Sequence, residues 1–273
     1  MNPHKPSNDF PYWLAALVIL AIAMIFVIIN FEIYNLIFAR VAKGIGITLY
    51  VTAVAFALSC ALGLLLAVGM NSSWALIRQT CRFYVEIVRG IPMLVLLFYF
   101  AFVGTPMLID IGNFIFTYPQ QWGWLDKFLI RDFDMIWRAI FALMIGYSAY
   151  IAEVFRAGFQ SVDRGQYEAA NALGLSRFTR FYKITMPQAF KVILPPLGND
   201  FIAMIKDSAL VSVLGVADIT QMGKLYAAGT FRFFETYNIV TFIYLVMTIS
   251  LSLALRGVEA HMDKNTRLQT NQH

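Results

Sequence analysis

Hydrophobic and polar positions along the 273-residue chain fall into long apolar runs separated by shorter polar connections. Residues 1–11 form a polar, Pro-rich tail. Tyr12 to Ile37 is apolar and long enough to cross a hydrocarbon core of roughly 30 Å, with Asn30 and Glu32 interrupting it late. A second run, Ile45 to Gly69, carries Thr48, Thr52, Ser59, Gly63 and Gly69. Small residues at such intervals let helices approach closely in lipid. After a polar connection at Asn71–Tyr84 with Arg78 and Arg82, Glu86-Ile87-Val88-Arg89-Gly90-Ile91-Pro92 leads into a third run ending near Val103. Glu86 and Arg89, three apart, are placed to pair on a helix, and Gly90 with Pro92 allows a kink where the chain enters the membrane. Thr105–Met135 reads as a long outer connection, rich in Asp and holding Tyr118, Trp122 and Trp124. A fourth run covers Ile136–Phe159, a fifth Val192–Leu214 and a sixth Tyr237–Leu255, with Gly215–Glu235 as a second outer connection. The pattern predicts an all-α polytopic membrane protein of six transmembrane helices.

Composition agrees: 59% of residues are hydrophobic and 14% charged, where a soluble domain carries about a quarter charged residues. The net charge of +5 matters through its placement. Arg78 and Arg82, the loop residues Arg164, Arg177, Arg180, Lys183 and Lys191, and the tail residues Arg256, Lys264 and Arg267 put these loops and both termini in the cytoplasm. Arg40 and Lys43, in the short first outer loop, run against that balance. The first apolar run is too long for a signal-peptide core and has no small-residue cleavage site, so it is read as a retained span. Cys60 lies in a span and Cys81 in a basic loop, which argues against a disulfide.

No catalytic or metal-binding constellation is visible. His4, His261 and His273 lie in the tails, and Gly223-Lys224 lacks the upstream glycine of a phosphate-binding loop. The chain is therefore expected to be no enzyme and to hold no cofactor and no nucleic acid. Any nucleotide must come with a partner.

The longest polar interruption of the second half, Gln160 to Pro196, is the most structured piece of the sequence. Tyr167–Leu173 is a run of helix formers, with Glu168 placed in a first turn where the helix dipole favours an anion. Gly174 stands where a C-terminal cap needs positive φ. A second helical piece, Arg177–Thr185, follows, and Pro187 is expected to bend the chain back toward the membrane. The spacing Glu168-Ala169-Ala170, Gly174, Ile184, Pro187 resembles the coupling loop of the permease subunits of ABC importers. The family usually has Leu before the final proline. This chain has Met186, a volume-conserving change. The E-x-x-R-G-x-P segment at Glu86–Pro92 also resembles the same permease family.

That resemblance implies a five-helix permease core over residues 43–262, with a coupling loop at 160–187. Residues 1–42 would be an added N-terminal tail and helix, and 263–273 a C-terminal tail. It also implies a place in the cytoplasmic (inner) membrane of a prokaryote, a dimer of cytoplasmic ATPase subunits carrying the ATP and Mg, a second permease subunit, identical or related, and an extracytoplasmic solute-binding protein. The implied function is ATP-driven uptake of polar L-amino acids, basic or amide ones among them. A gradient-driven secondary amino-acid transporter is the alternative; it would show inverted internal repeats, and no convincing pair stands out.

The fifth run carries residues that are costly in a bilayer: Asn199, Asp200, Lys206 and Asp207. Asp200 and Asp207 are seven apart, so they share a helix face about 10 Å apart along the axis, with Ala203 and Met204 between them. Either they pair with cations on neighbouring helices, such as Arg138 or Arg156, or they line a cavity for an ammonium group. The stretch from Pro195 to Ser208 resembles that of polar-amino-acid permeases, which implies Asp207 as the holder of an α-amino group, Asp200 as the partner of a second positive centre, and Asn199 and Met204 as neighbours in the site. Glu153 and Arg156, three apart, read as a structural pair.

Overall fold

The computed structural model describes residues 12–270; for Arg164, Arg177 and residues 263–270 it describes the backbone alone. His4, His273 and the polar tail at 1–11 lie outside the described residues. Among the described residues there is no strand. The helices are α1 (Tyr12–Asn30), α2 (Glu32–Val41), α3 (Ile45–Met70), α4 (Ala75–Gly90), α5 (Met93–Tyr99), α6 (Thr105–Ile115), α7 (Thr117–Gln121), α8 (Met135–Gln160), α9 (Arg164–Ala172), α10 (Arg177–Arg180), α11 (Met186–Asp207), α12 (Ile219–Thr230) and α13 (Phe233–Thr270).

The centre of the bundle is α3 against α8. The buried residues of α3, among them Thr48, Val51, Thr52, Ala55, Ser59 and Gly63, recur at helical spacing along one face. That face is small. A Cβ on Gly63 would lie 2.8 Å from the Ile151 side chain and 3.0 Å from the Ser148 carbonyl, so glycine is what lets the two helices touch. Ser59 Oγ donates to the Ala55 carbonyl at 2.7 Å and reaches Met144 O at 3.3 Å. These contacts follow the lipid rule of small residues and short polar links.

Among the described residues, five helical stretches are long and apolar enough to cross a membrane: Tyr12–Asn30, Glu32–Met70, Met93–Ile115, Met135–Gln160 and Phe233–Met262. α11, diluted by Lys191, Asn199, Asp200 and the internal prolines Pro195 and Pro196, packs beside them against α8 and α13. Three boundaries differ from the sequence reading. The first span ends at Asn30, because Phe31 is extended (φ −112°, ψ 113°), and α2 then runs through a 3₁₀ turn at Ala42–Gly44 into α3. Arg40 and Lys43 thus sit on a helical rod rather than in a loop. The third span reaches Ile115 instead of Val103: a π-turn at Phe100–Gly104, closed by Thr105 Oγ1 donating to Phe100 O at 3.0 Å, carries the helix onward, and Pro106 is harmless near the N-terminus of α6. Finally, the second outer connection contains α12, whose N-cap Asp218 accepts from the Gln221 N–H at 2.8 Å.

The segment before α8 is held by two residues. The Asn113 side-chain amide donates from Nδ2 to the Phe128 carbonyl and accepts at Oδ1 from the Phe128 N–H, each at 2.9 Å. Arg138, 5% exposed, donates to the carbonyls of Phe133 (2.9 Å), Ile130 (2.5 Å) and Ala101 (3.4 Å). Its guanidinium is thereby committed to backbone, away from either aspartate of α11.

Candidate functional site

A cavity of about 240 Å³ opens between α4, α5, α8 and α11. Val88, Ile91, Met93 and Leu96 make its apolar wall; Gly146, Tyr147 and Tyr150 of α8 face Asp200, Ala203 and Asp207 of α11. Gly146 is needed for this wall, since a Cβ there would sit 2.5 Å from Met93 Cε. The two acids lie on one face, as their seven-residue spacing requires. The Tyr147 hydroxyl donates to Asp207 Oδ2 at 2.8 Å. Asp200 Oδ2 is buried and has no hydrogen-bond partner. Among the described residues neither acid takes part in an ion pair, and Arg156 is engaged elsewhere, so the pairing alternative raised for Asp200 and Asp207 is not what the fold builds.

Two residues expected beside the acids are placed differently. Met204 is fully buried in the core cluster with Leu143, Ile193 and Val211, and does not line the cavity. At about 100° per residue, Ala203 falls on the cavity side of the Asp200–Asp207 line and Met204 on the other. Asn199 is exposed, as is Lys206, and Asn199 does not line the cavity either.

Arg89 is the residue whose expected role changes most. No ion pair joins it to Glu86; both are exposed, and the Arg89 guanidinium lies 5.7 Å from the centroid of the Tyr150 ring. A ring offered from α8 holds the cation by its face. Val88 and Ile91, on either side of Arg89, line the cavity, and so does Tyr150. Tyr147 and Tyr150 are the polar cavity groups that sequence reasoning missed, and Arg89 lies against the second of them without lining the cavity itself. The one signal available was a pair of tyrosines at i and i+3 inside an apolar span. Glu153 and Arg156 do pair, with Arg156 Nε and Nη2 at 2.8 and 2.5 Å from Glu153 Oε2, and Nη1 reaching Gln160 Oε1 at 3.0 Å.

The polar loop forms a second, separate constellation. Helix α9 starts at Arg164, capped by Asp163, whose Oδ1 accepts from the Gly165 N–H at 2.6 Å. Glu168 is therefore in mid-helix, not in the first turn. Gly174 has φ 68°, the left-handed value expected of it, and the cap is closed by Gly174 N–H to Asn171 O at 3.0 Å and Leu175 N–H to Ala170 O at 3.1 Å. Ala170 is buried, whereas Glu168 and Ala169 are exposed. Arg180 ties the loop together: Nη1 is 2.5 Å from Asn171 Oδ1, and the guanidinium lies 5.4 Å from the centroid of Tyr167. Leu173, Phe178 and Tyr182 point outward, 77%, 78% and 67% exposed, leaving an apolar face uncovered beside the cap. Ile184 is half-buried and Pro187 exposed, but Pro187 does not turn the chain. A π-turn at Phe181–Thr185 joins α10 to α11 without a break, and the proline occupies the first turn of α11, where its missing N–H costs nothing.

A multi-spanning helical bundle with a capped polar loop and a small acidic cavity suits a transport component. Residues 59–268 match the family described as "Binding-protein-dependent transport system inner membrane component", and the chain belongs to that family. It is 32% identical over 239 residues to the "Probable amino-acid permease protein YxeN" of Bacillus subtilis (strain 168), covering 88% of this chain and 98% of the relative. It is 31% identical over 220 residues to the "Glutamine transport system permease protein GlnP" of Escherichia coli (strain K12), covering 81% and 91%. Among solved structures, an amino acid ABC transporter crystallised with histidines superposes with a TM-score of 0.67 at 36% identity, covering 84% of this chain and 95% of that one. Membership in a binding-protein-dependent system sets aside the gradient-driven alternative, and its membrane component is distinct from a catalytic subunit.

Proposed function

We propose that this chain is the membrane-spanning subunit of an ATP-driven importer of polar L-amino acids, with the cavity beside α11 as the substrate site. The observation that carries the reading is the pair of carboxylates: Asp207 oriented by Tyr147, and Asp200 with a buried oxygen that has no partner. A carboxylate oxygen left unpaired in a low-dielectric site favours a cation. At about 240 Å³ the space is smaller than the roughly 300–1,000 Å³ of drug-sized pockets. Asp207 holds the α-ammonium, and Asp200 accepts from a basic or amide side chain. Arg89, flanked by cavity-lining residues, holds the α-carboxylate.

The loop at 160–187 docks on a cytoplasmic ATPase pair through Glu168, Ala169 and Ala170, Gly174, Ile184 and Pro187, with Leu173 and Phe178 as the apolar contact. A second permease subunit completes the pathway, and an extracytoplasmic binding protein delivers the amino acid. Both termini are cytoplasmic. The test is uptake into vesicles containing the chain with its ATPase and binding protein, with sodium and proton ionophores present. ATP alone drives glutamine or arginine uptake, and Arg89→Gln raises KM while leaving ATPase assembly intact. Uptake that needs an ion gradient, or an Arg89→Gln variant with wild-type KM, overturns the respective parts of this reading.

A further inference from the structure

Helix α1 is the least buried of the five apolar spans. It runs antiparallel to α13 and meets it at two ends. Met24 and Ile28 join the packed cluster of Ile37, Ile239 and Ile243, and Trp13 lies beneath the Arg256 guanidinium, 5.8 Å from the ring centroid. Between these contacts the helices part, leaving an elongated groove of about 670 Å³. Its walls are Leu17, Ala21 and Ile25 on one side and Phe242, Leu245 and Ile249 on the other.

Three features identify the occupant. The α1 wall from Leu14 to Ile25 is about 17 Å long at 1.5 Å per residue; one leaflet, half of a roughly 30 Å core, is about 15 Å deep. The lining is almost wholly apolar, so its occupant is hydrocarbon. The end near Leu14 and Leu253 is closed by an exposed arginine and an indole, the pairing of a cation and an amphipathic ring that suits the headgroup level. Glu259, one turn beyond Arg256, is half-buried and forms no ion pair with it, leaving the guanidinium for an anion. We propose that this groove is a lipid site, holding one acyl chain of an anionic phospholipid with its phosphate at Arg256 and Trp13. The lipid fills the gap between the two places where α1 meets α13.

The test is native mass spectrometry of the full complex released from detergent micelles containing equal amounts of phosphatidylglycerol and phosphatidylcholine with the same acyl chains. Retention favours phosphatidylglycerol by about five-fold, as expected for one basic residue at an anionic surface. The preference disappears in Arg256→Gln, an exposed position that leaves the fold unchanged. Ala21→Trp, which fills the groove, lowers retention of both lipids. Equal retention of the two lipids in the parent protein, or a preference that survives Arg256→Gln, overturns the proposal. Disulfide cross-linking of Val18→Cys between two copies of the chain would also overturn it, by assigning the groove to a protein neighbour.

Discussion

The polar loop at 160–187 and the α11 cavity are built by opposite strategies. The loop is a local construction: Asp163 caps its own helix two residues on, Gly174 closes it three residues after Asn171, and Arg180 reaches back nine residues to Asn171. The cavity is assembled from distant pieces. Tyr147 meets Asp207 across 60 residues, and Arg89 meets Tyr150 across the helix gap. One region keeps its shape through short-range grammar and leaves its outer face bare. The other keeps its shape only if four helices hold register. The proposed coupling surface and the proposed substrate site can therefore be damaged independently, and each substitution below tests that separation.

The largest effect belongs to Gly174→Val. A β-branched residue at φ 68° is a backbone outlier, and such strain costs of the order of 1–3 kcal/mol, enough to undo a short capped helix. ATP-driven uptake is expected to fall below detection, while the bundle inserts and binds amino acid as before, measured by ligand-dependent shifts in thermal unfolding. Loss of that binding as well would mean loop and cavity are one unit.

Next is Asp207→Asn, read beside Tyr147→Phe. Removing the charge from a buried polar pair costs about 2–5 kcal/mol, thirty-fold or more in apparent substrate affinity. Removing only the hydroxyl that orients it costs about 1.5–3 kcal/mol, roughly ten- to 150-fold. Both variants should still co-purify with the ATPase. A Tyr147→Phe protein with the defect of Asp207→Asn would show that the tyrosine contacts the substrate itself. The smallest effect is that of Glu153→Gln. Its ion pair with Arg156 is part-exposed, so its loss is expected to change stability by about 1 kcal/mol or less, with uptake unchanged.

Legibility in the sequence followed the same division. Helical runs, the cap at Gly174 and the shared face of Asp200 and Asp207 depend on residues close in the chain, and periodicity and turn chemistry report them. The Glu86–Arg89 pair was equally local in sequence, yet Tyr150 from another helix offers the cation its face instead. Ala203 and Met204 are neighbours, and which of them faces the cavity is decided by where α8 packs. The break at Phe31 carries neither glycine nor proline to announce it, and the helix continues past Thr105-Pro106 because a π-turn absorbs the change in register.

The unbroken run from the π-turn through α11 has a mechanical consequence. Pro195 and Pro196 withdraw two successive backbone donors from the middle of α11. Thr185 is about 15 Å below this soft point and Asp207 about 17 Å above it, at 1.5 Å per residue. The two arms are thus nearly equal and joined by a compliant hinge: the Thr185 arm can tilt about it without dragging Asp207 from its hydrogen bond to Tyr147.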